Sequence, residues 1–166
     1  MKFICLLIFY FMFQASNHTQ SELVEIRNKY YAAIEKEKDA KDFLDFMNSK
    51  NTSNDPLMLC YKGVATVLQA NYYFNPYSKY KFFVDGKELI EKSVKQNSSN
   101  IEIRFMRFCI QYNTPKFLGY SNSLEVDKKF IFNSYNGIVD IDLKERIKNY
   151  LLKIDICTKA EKEKLR

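Results

Sequence analysis

Apolar side chains recur every three or four positions along most of the chain after residue 20, and little interrupts them. Only four glycines and three prolines occur in 166 residues. That spacing lays one apolar stripe along a helix, whereas a half-buried strand needs strict alternation. Sheets and barrels also need many chain reversals, which draw on glycine and proline. The pattern therefore predicts an all-α chain.

The stripes divide into seven helices. Leu23, Ile26, Tyr30, Ala33 and Ile34 form the first, with Ser21 as its cap, and Ala40, Phe43, Leu44 and Met47 the second. Residues 48–55 read as a polar loop. Asp55 then caps a third helix that opens at Pro56 and carries Leu57, Cys60, Val64, Val67 and Asn71. Asn75-Pro76 interrupts, and a fourth helix runs from Tyr77 to about residue 96, with Phe82, Phe83, Gly86, Leu89, Ile90, Ser93 and Val94 inward. The fifth, from Ile101 to Tyr112, has two apolar sides, one with Phe105, Phe108 and Cys109, the other with Ile103, Met106 and Ile110. A helix apolar on two sides is sandwiched between neighbours, so the fifth is the expected centre.

Pro115 ends it, and Phe117-Leu118-Gly119-Tyr120 reads as a connector too apolar to lie exposed. Leu124, Asp127, Phe130 and Ile131 mark the sixth helix; Ile138-Val139 could form a brief extended piece. Asp142 with Glu145 resembles a capping box opening the seventh, which carries Leu143, Ile147, Tyr150, Leu151 and Ile154. The charged tail after Thr158 is expected to fray. Short connections between successive helices make sequential antiparallel pairs the expected architecture.

The first residues differ in kind. Lys2, the unbroken apolar run 3–13 and the small residues Ala15 and Ser16 have the layout of a secretory signal peptide. The run is too short to cross a hydrocarbon layer of about 30 Å as a helix. The chain thus divides into a leader, 1–16, and a single helical domain, 17–166. The domain is expected to be exported, periplasmic or extracellular, with no membrane span once the leader is removed. Removing it takes only Lys2 from a net charge of +6. The remaining surplus forms no basic cluster, since the richest stretch, 159–166, alternates with Glu161 and Glu163. Nucleic acid, which needs a concentrated positive field, is not an expected partner.

Cysteine and histidine usage excludes more. Once the leader with Cys5 is removed, Cys60, Cys109 and Cys157 are odd in number and widely spaced, which is no disulfide framework. The single histidine, His18, stands beside the leader in a terminus expected to fray. Imidazole acid–base catalysis, His-assisted nucleophiles and His-ligated zinc are thereby set aside. There is no Gly-rich phosphate loop, GxSxG, HExxH or CxxC. The carboxylate pairs Glu125/Asp127 and Asp140/Asp142 are two residues apart and would point to different faces of a helix. The chain is expected to be no enzyme and to need no cofactor or metal.

Two constellations remain. Arg104, Arg107 and Gln111 share one polar strip on the otherwise apolar fifth helix. Asp127, on the apolar face of the sixth, is the leading counter-charge: arginine seldom enters a core unpaired. The strip reads first as an Arg–carboxylate network locking the two helices, and alternatively as a clamp for an anionic ligand. Tyr72, Tyr73, Phe74, Asn75, Pro76, Tyr77 and Tyr80 form an aromatic elbow, which either seals the third and fourth helices or offers rings to a peptide or glycan.

Residues 59–100 resemble a tetratricopeptide-type helical hairpin, through Gly63 in one helix and Gly86, Ile90 and Ser93 in the next, with Ser98 before a new helix at Ile101. The loop 71–80 makes the pair about eleven residues longer than a standard repeat. The wider pattern of Tyr61-Lys62-Gly63, Phe74-Asn75-Pro76, residues 102–108 and residues 115–120 is similar to uncharacterised exported helical proteins of bacteria. These resemblances imply a tetratricopeptide-like α-α array of about six to seven helices, with a core near 57–135. They imply a scaffold binding a protein or peptide in the cell envelope; the elbow supplies the candidate contact residues Tyr73, Asn75 and Tyr77. The alternative is capture of a small anion, or an unrecognised hydrolase, at the Arg104–Arg107 strip.

Overall fold

The computed structural model describes residues 18–165; the leader expected over 1–16 lies outside the described residues. Those residues form eight α-helices, two short 3₁₀ turns and no strand. The helices are α1 (Gln20–Glu35), α2 (Glu37–Ser49), α3 (Pro56–Gln69), α4 (Pro76–Gln96), α5 (Ile101–Asn113), α6 (Leu124–Ser134), α7 (Ile141–Lys153) and α8 (Lys159–Glu163).

Local chemistry sets most helix starts. Asp55 accepts from the backbone N–H groups of Leu57 and Met58 at 3.0 and 3.1 Å, and Pro56 occupies the first turn, where its missing N–H costs nothing. Asn75 and Asn100 cap α4 and α5 in the same way. Three expected ends differ. Thr19, not Ser21, caps α1, accepting from the N–H of Glu22. Asp140, not Asp142, caps α7, accepting from the N–H of Leu143 at 3.0 Å, and Asp142 instead accepts from Arg27 of α1. A reciprocal capping box stands at Thr158 and Glu161 and opens α8 within the tail expected to fray. Leu165 there is buried, and Lys128 of α6 reaches Ile156 O and Glu161, so side chains tie the tail down.

The register of side-chain contacts gives the helix directions. Along α3, Pro56, Gly63 and Val67 meet Ser93, Ile90 and Gly86 in turn, so α4 runs antiparallel. The two backbones nearly touch: a Cβ on Gly86 would lie 2.5 Å from Gly63 O, and one on Gly63 would lie 2.8 Å from Gly86 O. Only hydrogen fits at this crossing. Glu22 with Lys50 and Lys29 with Phe46 set α1 and α2 antiparallel; Arg107 with Asp127 and Arg104 with Phe130 do the same for α5 and α6.

The odd-numbered helices meet one another around a core to which α2, α4 and α6 add Phe43, Ile90 and Ile131. α1 meets α5 through Arg27 and Glu102, and α7 through Asn28 and Arg146. α3 meets α5 through Tyr61 and Glu102, while α7 inserts Tyr150 among Phe105, Phe108 and Tyr112 of α5. From Glu102 to Gln111 only Arg104 on α5 escapes full burial, which makes α5 central, as its two apolar sides predict. The first helix thus touches the seventh, and the layer closes on itself.

Candidate functional site

Each constellation singled out from the sequence has a definite place. Arg107 donates from Nε and Nη2 to both oxygens of Asp127, at 2.7 and 2.9 Å, and from Nη1 to Glu91 at 2.9 Å. Asp127 is 0% exposed. Glu91 also accepts from the Tyr120 hydroxyl at 2.7 Å, so one network joins α4, α5, α6 and the connector before α6. Burial opposes the Arg107 charge, but Asp127 and Glu91 outweigh it and hold the guanidinium above its ordinary value. Arg104 stacks over Phe130 at 4.7 Å and lies in charge contact with Asp127, although its Nε–H makes no directed hydrogen bond. Gln111 is buried, and its Oε1 has no partner. The arginines of the strip therefore face carboxylates of this chain.

A second ionic knot was hidden in the sequence. Arg27, 2% exposed, donates from Nε and Nη2 to Glu102 at 2.7 and 2.8 Å and from Nη1 to Asp142 at 2.9 Å. Its Nη2 also lies 2.8 Å from Asp140, and the Tyr61 hydroxyl donates to Glu102 at 2.5 Å. Burial alone would raise the carboxyls of Asp140 and Asp142. Bonds from Arg27, with Leu143 N–H and Gln20 on Asp140 and Arg146 on Asp142, reverse that and hold both below the usual range. On a helical wheel Arg27 sits beside Ile26 and Tyr30, a face that reads as core. The only signal was an arginine on that face.

His18 is not a frayed end. Its two ring nitrogens contact Glu22, at 3.2 Å, and Asp55, and Glu22 in turn accepts from Lys50 at 2.7 Å. Burial works against the charged ring, yet Glu22 and Asp55 outweigh it and raise the imidazole above 6.5. Cys60 and Cys109 are buried free thiols; burial pushes Cys60 up to about 12. Neither is a ready nucleophile, because the thiolate is the reactive form. Among the described residues no three His, Cys, Asp or Glu side chains are placed to hold a metal ion.

The elbow splits into two parts. Tyr72 donates its hydroxyl to Ala33 O and Ile34 O, and Tyr73 packs on Phe82 with ring centres 4.7 Å apart. Asn75 is spent on capping α4. Phe74, Tyr77 and Tyr80 stand out from the surface, 100%, 75% and 60% exposed. The connector corrects its expectation in the same way: Tyr120 is buried against Phe83, but Phe117 is 86% exposed. The turn at Gly119, with φ of 61°, directs the chain from Leu118 toward buried Tyr120.

Between these two projections lies an apolar groove of about 590 Å³. Val67, Leu68 and Phe83 line its floor with Ile110, while Pro76, Tyr80, Pro115 and Phe117 line its walls. Its polar edges are Asn71, Lys79, Asn113 and Thr114. Apolar clefts of this size with a few polar groups at the edge are the usual form of a binding site. The sequence offered each wall separately, as an elbow and as a connector, without showing that they face one another.

Compared with known protein families, curated proteins and solved structures, the chain matches none.

Proposed function

We propose that this chain is an exported, non-catalytic binding protein that engages a peptide or protein segment in the cell envelope through the groove between α3, α4, α5 and the 115–118 connector. One observation carries the reading: an apolar groove of about 590 Å³ lies open with two exposed rings, Tyr80 and Phe117, on its lining. Exposed aromatic rings around an apolar cleft cost solvation in the free protein and are recovered on contact with a partner. The tetratricopeptide likeness is consistent with this role through the α3–α4 hairpin, where Gly63 and Gly86 cross as close-packed hairpins of that kind require. Export rests on the leader pattern of residues 1–16.

Site-specific photo-crosslinking in the native envelope tests the reading. A photoreactive residue at position 117 or 80 should give a recurring adduct, and one at Val139, exposed in the connection before α7 and outside the groove lining, should not. No adduct from 117 and 80, or equal adducts from all three, would overturn it.

A further inference from the structure

The charge around the groove narrows the occupant, and this inference rests on the peptide-binding reading above. No Asp or Glu lines the groove. Its walls come from two stretches, 70–84 and 103–124, that contain no acidic residue, in a chain that has 20. Lys79 lies in the lining and Lys116 stands between the lining residues Pro115 and Phe117. Neither pairs with a carboxylate among the described residues, whereas Lys81, two residues on, is closed by Asp85 at 2.5 Å. Glu35, Glu37 and Asp39 act on Tyr72, whose hydroxyl is turned to the end of α1. The groove is thus an apolar slot with open positive charge and no internal counter-charge.

We propose that it receives an acidic amphipathic segment of a partner protein, which places about two or three large apolar side chains in the slot and its Asp or Glu residues against Lys79 and Lys116. A single acyl chain with an anionic head would fill the slot but leave Phe74 and Tyr77 uncovered beside it. A peptide lying across the lip covers both.

The probe is a fluorescein-labelled peptide of about 16 residues with Leu and Phe at helical spacing and Glu elsewhere, compared with its Lys-for-Glu counterpart, each titrated into the full chain. The Glu peptide is expected to bind at least tenfold more tightly at low salt, and the difference should shrink as salt rises. K79E/K116E, with an unchanged melting temperature, should abolish or reverse the preference, and F117A should weaken both peptides. Equal binding of the two peptides removes the acidic preference while leaving the groove reading intact. Failure of both to bind, or indifference to F117A, removes the two readings together. Sedimentation with phosphatidylglycerol vesicles that depends on Phe74 and is not displaced by the Glu peptide would assign the site to a membrane surface instead.

Discussion

At the scale of single residues, stability is concentrated in a few buried charges. Asp127 is fully buried and held mainly by Arg107. Arg107→Met should therefore strand a carboxylate and cost about 3–5 kcal/mol, measured by urea unfolding. A ligand clamp would behave otherwise, losing binding with no change in stability. His18 gives a pH signature. Its folded-state value lies above 6.5, so its bonds to Glu22 and Asp55 contribute fully below that pH and are lost as pH rises through the raised value. The melting temperature should fall across that interval, and His18→Ala should flatten the fall; an unchanged slope would contradict the observed tie to Asp55.

At the scale of elements, the α3–α4 hairpin is the least forgiving part. A methyl on Gly86 would lie 2.5 Å from Gly63 O and 2.7 Å from the Val67 amide, both backbone atoms that cannot rotate away. Gly86→Ala should separate the two helices and cost about 3 kcal/mol or more, at the upper end of overpacking effects. Thermal denaturation checks this, with Gly137→Ala as a control, because a Cβ there meets nothing within 4 Å. Most element boundaries were legible, since Asp55, Asn75 and Pro56 act through groups one to three residues away. The caps at Thr19 and Asp140 were missed because several neighbouring polar residues satisfy the same local rule. Asp142 was free to serve Arg27 only because Asp140 took the cap.

At the scale of the whole molecule, α7 holds the layer closed. Arg27 joins α1, α5 and α7, and the carboxyls of Asp140 and Asp142 lie below their usual value of 3.8. Their contribution is present above that pH and disappears as pH falls through the lowered values. Acid titration should therefore release α7 early, seen as faster amide exchange over residues 141–153. Asp140→Asn with Asp142→Asn should weaken this acid-dependent step and open α7 already at neutral pH. Of the candidate site, Pro76 and Tyr80 were legible as part of a local aromatic cluster. Phe117 was not, because an apolar connector reads as buried until the chain is seen to turn outward at it.

Apolar recurrence, caps and breakers act over one to four residues, so the sequence alone determined that the chain is helical, where most helices begin, and that α5 is wrapped on both sides. Contacts between residues tens of positions apart obey no such short rule. Only the tertiary structure decided that Arg27 meets Glu102, Asp140 and Asp142, that α7 closes the layer against α1, and that the elbow and the connector face each other across one groove. The physical reason is that burial and charge pairing depend on which faces meet in space, and the order of residues fixes that only through the packing of the whole chain.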